Sequence, residues 1–133
     1  ADDTLSPPAL GECSFDASAW DAHRIVLPDD VLLFRYSALT FNSHRIHYDL
    51  PYARDVERYR ALVVHGPLTS TLLLALAQRE LGDNAIKTFA FRGMSPGMCG
   101  EELNLAMRKT ETGYELGAFA ADGRQVASAS ATA

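Results

Sequence analysis

Between Gly66 and Gly82 the apolar positions recur at helical spacing, with Leu68, Leu72, Leu73, Leu76 and Ala77 covering more than one face. Pro67 stands where a helix begins, at a position whose missing N–H has no intrahelical partner to lose. Gly82 stands where a left-handed C-terminal cap would fall. The pattern predicts a buried helix over about 67–81. Downstream the period changes to two. Phe89 and Phe91 alternate with Thr88 and Ala90; Leu103, Leu105 and Met107 share a face; so do Tyr114, Leu116 and Ala118. Asp122-Gly123 reads as a two-residue hairpin turn and Thr110 to Gly113 as a second turn. The Ala/Ser run at 127–133 also alternates, with side chains small enough for close packing on a sheet. A buried helix followed by an antiparallel sheet is therefore expected.

Two segments are less regular. From Asp29 to Phe41, Val31, Phe34, Ala38 and Phe41 fit a helical stripe, yet the run is apolar enough for a strand, and periodicity alone does not choose. Residues 1–14, rich in Pro, Ser, Gly and acids, read as a linker or extended arm, leaving 15–133 as a single domain.

Composition narrows the function. A chain of 133 residues with 47% hydrophobic side chains can form one ordinary core. Its formal net charge of -5 argues against nucleic acid as a partner, although a few local Arg residues would still suffice for coenzyme A phosphates. No run reaches the ~18 apolar residues of a membrane span, and no signal peptide is visible. Cys13 and Cys99 lie outside any metal-ligand spacing and read as free thiols of a reducing, cytoplasmic compartment.

The candidate chemistry lies in Ser37–Asp49 and Val63–Leu68. Three of the four histidines, His44, His47 and His65, fall within these stretches. Imidazole exchanges protons near neutral pH. Gly66, just before a helix, would let backbone N–H groups approach a ligand and stabilise negative charge on a thioester oxygen. His44-Arg45-Ile46-His47 also resembles a metal pair, but no third ligand stands at a suitable spacing, and no metal is expected.

These two stretches resemble the hydratase 2 (MaoC-like) family. Its signature runs small residue, Gly, Asp, any residue, Asn-Pro, aliphatic residue, His and, after five further residues, Ala or Ser. Thr40, Ile46, His47 and Ala53 match that frame. Phe41 replaces the Gly, Asn42 the catalytic Asp, and His44-Arg45 the Asn-Pro. His65-Gly66 through Leu74 resembles the start of the family's central helix, and Phe34 to Asp49 is particularly similar to the branch of mesaconyl-C4-CoA hydratase and type 2 hydroxyacyl-thioester dehydratases.

The resemblance implies an α+β hotdog fold, with the sheet wrapped around the 67–81 helix and a further helix at 29–40. It implies reversible hydration of an enoyl thioester, with coenzyme A or acyl carrier protein as part of the substrate and no separate cofactor. His47 would be the acid/base group, Asn42 would orient the water, and the Gly66 N–H would bind the thioester oxygen. His44, His65, Thr71 and Arg92 are candidate substrate-binding or supporting residues. Either His47 performs both proton transfers or His44 or Asp49 replaces the missing Asp. Each also has an ordinary role open to it: His47 a core or loop histidine, Asn42 a turn residue, Gly66 a plain helix start, Arg92 a surface ion-pair partner. Family domains pair side by side, so a homodimer or union with another hotdog domain is expected, this chain then being the second half of a double hotdog. An acyl-CoA thioesterase and a non-catalytic thioester-binding domain are the alternatives.

Overall fold

Asp29 starts the first helix by accepting a hydrogen bond from the Leu32 N–H at 2.7 Å, leaving Asp30–Thr40 as α1. The ambiguous segment is thus helical, as the resemblance implied. The chain's structure, a computed structural model, describes residues 14–133. Of the expected arm, residues 1–13 (with Cys13) lie outside the described residues, while the backbone N–H groups of Ser14 and Phe15 both bond to the Ala121 carbonyl. After β1 (Ala22–Val26) and α1 come a single 3₁₀ turn at Arg45–His47, a short α2 (Leu50–Asp55) and α3 (Gly66–Leu81). Four strands follow: β2 (Thr88–Gly93), β3 (Leu103–Lys109), β4 (Tyr114–Ala120) and β5 (Gln125–Thr132).

All five strands pair antiparallel in the order β1-β3-β4-β5-β2, with β1 and β2 at the edges. The core lies between this sheet and α3. Leu73, Leu76 and Ala77 of α3 meet Leu103, Leu105 and Met107 of β3, Leu116 and Ala118 of β4, and the alanines of β5. The period-two faces read from sequence are the faces that point at the helix. Each fully buried Leu here contributes about 1.5–3 kcal/mol of transfer free energy. Ala127, Ala129 and Ala131 stand opposite Gly93, Phe91 and Phe89 on one side and Ala118, Leu116 and Tyr114 on the other, making a column of methyl groups between larger side chains. The sheet curving over one central helix is the hotdog arrangement.

Three details differ from expectation. α3 begins at Gly66, with Pro67 in its second position, and Thr71, Ala75 and Gln78 to Glu80 stay exposed, so the helix is buried on its sheet and α1 sides only. Gly82 has φ 100 and ψ 161, a positive φ with an extended ψ, so it stops the helix without forming a left-handed cap. The β4–β5 hairpin is one residue longer than the two-residue turn read at Asp122-Gly123. Ala120 N–H bonds to Arg124 O and Gly123 N–H to Ala120 O, closing a loop over Ala121–Gly123 with Gly123 at φ 91. The second turn, Thr110 to Gly113, is present.

A second cluster joins α3 to the rest. Leu33 of α1, Ala53 of α2, Leu62 and Val64 pack on Leu68, in the first turn of α3. This packing places the segments carrying His47 and His65 against each other.

Candidate active site

His47 sits on the 3₁₀ turn and is only 7% exposed. The turn is fixed from its far side. The Asp49 carboxylate takes the Arg45 guanidinium through one oxygen (2.8 Å) and caps α2 by accepting from the Tyr52 N–H through the other (3.1 Å). The Arg45 contact, foremost, holds the Asp49 carboxyl below the usual carboxylate range. Asp49 is therefore built into the turn and is not a spare proton acceptor beside His47.

The His47 ring is oriented by the Val63 carbonyl, 2.6 Å from Nδ1. A carbonyl only accepts, so Nδ1 carries the proton and Nε2 keeps its lone pair. Burial pushes His47 below its ordinary pKa; the Val63 bond opposes this, and a charge on His44 would add to it. The group is a neutral imidazole with one fixed basic nitrogen at pH 7, which is what a general base requires.

Around it stand the other imidazoles. His44 is exposed and meets His47 edge-on, with centroids 5.7 Å apart. His65, the N-cap residue of α3, stacks on His47 at 3.7 Å with 18° between planes. It is 1% exposed, and its Nε2 lies 2.8 Å from the buried Ser37 hydroxyl of α1. Burial and the nearby His47 bring its pKa down to about 4. Tyr36 meets His65 edge-on at 4.7 Å.

Asn42 follows α1, where the Phe41 backbone takes a left-handed conformation (φ 54, ψ 34). That conformation explains a preference for glycine at this place. Asn42 Oδ1 accepts from the His44 N–H at 3.1 Å, and its own N–H bonds to the Ser37 carbonyl. Its side chain thus shapes the loop that carries His44, the turn role open to it from sequence. Gly66 is exposed at the head of α3, and a Cβ there would meet nothing within 4 Å. The first-turn N–H groups of a helix have no intrahelical acceptor, so those of Gly66 and Leu68 are available to a ligand.

Two surface grooves reach these residues. One, of about 330 Å³, is walled by Phe34, Ala38, Phe41 and Tyr48 and touches Ser37 and Asn42. The other, of about 340 Å³, runs past Val63, Gly66 and Thr69 to Phe91 and Met94.

Two sequence candidates fall away from this cluster. Thr71 is exposed, its hydroxyl bonded back to the Pro67 carbonyl within α3. Arg92 is exposed on β2, where Phe89 and Phe91 take the helix side, and it shares the opposite face with Glu115, Ser128 and Ser130. His65 is inside, bonded to Ser37, and not open to a substrate as expected of a binding residue. Ser37 was missed. Its signal is a hydroxyl four residues after Leu33, on the one buried face of α1. Among the described residues, no group of three His, Cys, Asp or Glu side chains is arranged to hold a metal ion. None of their helices is long and apolar enough to cross a membrane.

A five-stranded sheet around a central helix, with a buried, singly oriented histidine at that helix's head, defines a hotdog domain. Residues 6–99 match the model of hydroxyacyl-thioester dehydratase type 2, and the chain belongs to that family. It is 46% identical over 106 residues to mesaconyl-C(4)-CoA hydratase of Chloroflexus aurantiacus, covering 80% of this chain and 38% of that protein. It is 34% identical over 107 residues to the mitochondrial hydroxyacyl-thioester dehydratase type 2 of Schizosaccharomyces pombe, covering 78% and 34%. The chain thus spans little more than a third of these relatives. In fold it resembles the R-hydratase PhaJ1 of Pseudomonas aeruginosa in its unliganded form, with TM-score 0.72, 19% identity, and 83% and 76% of the two chains covered.

Proposed function

We propose that this domain hydrates an enoyl-CoA thioester, and in reverse dehydrates the 3-hydroxyacyl thioester, with His47 as the proton-transferring group. The observation that carries this is the Val63 bond to His47 Nδ1, which leaves Nε2 as a neutral base beside the N-terminus of α3. In the forward direction Nε2 takes a proton from water while the water oxygen bonds to the β-carbon. The double-bond electrons move to the thioester oxygen, where the Gly66 N–H and the helix dipole stabilise the negative charge. The same proton then passes from Nε2 to the α-carbon, so one water is added across the bond and the imidazole ends neutral. With Asp49 held by Arg45 and Asn42 unable to accept a proton, both transfers fall to His47. Asn42 acts by shaping the loop.

The relatives support this substrate class, and a short branched enoyl-CoA such as mesaconyl-C4-CoA is the preferred candidate. A spectrophotometric assay with crotonyl-CoA and mesaconyl-C4-CoA tests this. Loss of enoyl absorbance with faster turnover of the mesaconyl thioester is expected. A folded chain that leaves both unchanged but releases free thiol from acyl-CoA would replace hydration by thioester hydrolysis.

The domain also acts as one half of a hotdog pair, either with a second copy or with another hotdog domain, as the second half of a longer chain. The greater length of the relatives supports this, as do the sheet edge at β2 and the exposed rings of Phe34 and Phe41 (94% exposed for Phe41). Light scattering on this chain alone is expected to show a dimer mass. A monomer at every concentration would remove the homodimer, and loss of activity from that monomer would point to the missing half.

A further inference from the structure

The imidazole stack does more than the proton transfer requires. His65 is buried, held by one hydrogen bond shared with Ser37, and its Nδ1 is the one buried side-chain polar atom without a hydrogen-bond partner among the described residues. An unpaired buried nitrogen is a stability loss that a Phe or Leu of similar bulk would avoid. The retained imidazole is laid flat on the ring proposed as the base, from a different element.

During hydration His47 becomes an imidazolium. Among the described residues, the titratable groups in ring contact with the stack are Tyr36 on α1 and His44 on the same turn; the first turn of α3 carries no charged side chain, and the Arg45–Asp49 pair is exposed. Among the described residues no carboxylate hydrogen-bonds to His47, and Asn42 stands where the resemblance would put one. What meets the new cation is the π-face of His65. A cation over a neutral aromatic face is attracted by the ring's electron density, more strongly away from water.

Taking His47 as the proton-transferring group, as proposed above, we propose that His65, tethered by Ser37, is a positioning residue. It holds an uncharged ring face against His47 and stabilises the imidazolium formed when the attacking water gives up its proton. Burial supports this by keeping His65 itself unprotonated down to about pH 4.

The test is an NMR titration of the His47 ring, which needs no substrate, in the wild-type chain and in His65→Phe and His65→Leu. His65→Phe keeps an aromatic face; His65→Leu removes it at similar burial. In the Leu variant the His47 pKa is expected to fall by about 0.5 to 1 unit, a 3- to 10-fold loss of proton affinity, and in the Phe variant to stay near wild type. The acid limb of the hydration pH profile should move with it, and kcat should fall at unchanged KM. Equal titration of His47 in the Phe and Leu variants would overturn the proposal. Should either variant fail to fold, Ser37→Ala frees the ring instead. A lower His47 pKa there supports the tether, and an unchanged one removes it. An inactive wild-type chain that is dimeric and still shows the Phe–Leu difference would sink the hydratase assignment alone.

Discussion

Replacing His47 with Ala is expected to lower kcat/KM for enoyl-CoA hydration by about 100- to 10,000-fold, the range for loss of a positioned general acid–base group. The effect should be this large because no neighbour among the described residues substitutes for it. Asp49 is committed to Arg45 and the α2 cap, His44 is solvent-exposed and edge-on, and the Asn42 side chain holds the loop. Removing a buried ring also leaves the Val63 carbonyl unpaired, so the melting curve must show a folded variant at the assay temperature. Steady-state kinetics on the two CoA thioesters is the measurement. A folded variant retaining activity within about threefold of wild type would assign the chemistry elsewhere.

The second large effect is loss of stability in mild acid. The folded chain refuses a proton on His65 until about pH 4, whereas the unfolded chain accepts one near 6.5. Below about 6.5 the unfolded state therefore binds more protons, and stability falls as pH falls through this window, levelling once pH is below 4. One such group corresponds to roughly 2 kcal/mol lost by pH 5 and roughly 3 by pH 4, against about 5–15 kcal/mol for an ordinary domain. His47, lowered by its burial, acts in the same direction. Urea unfolding midpoints between pH 7.5 and 4 should show the decline, and it should be shallower in His65→Phe. Parallel curves for the two proteins would mean that His65 titrates normally in the folded state.

Much of this was legible in the sequence, for identifiable reasons. The helix at 67–81 and the strands after it are set by strong periodicity, because one side of each packs on a common core. α1 was not, since its outer residues Val31, Phe34, Leu39 and Phe41 remain exposed and its buried face holds only Leu33 and Ser37. The approach of His47 and His65 was visible only as two motifs 18 positions apart; their stacking depends on Leu33, Ala53 and Leu68 closing the second cluster. The Ser37–His65 bond and the unpaired His65 nitrogen depend on tertiary contacts that no local spacing encodes. Arg92 reads as a site residue from its place at a strand end and Thr71 from its place in the family's helix, but neither reading fixes a side-chain direction, and both side chains are exposed.

The alanine column of β5 gives the far end of α3 authority over the chemistry. Sixteen helical residues form a rod about 24 Å long. His65 and Gly66 ride on one tip, while the shaft rests on a saddle of methyl groups. Tilting such a rod by about 5° displaces its tip by about 2 Å, beyond the ~1 Å misplacement that can already cost about 100-fold in rate. Bulk added at Ala131, the member of the column farthest from the groove that passes Gly66 and Ala127, therefore works like a wedge under a lever, detuning the proposed catalytic tip from a distance.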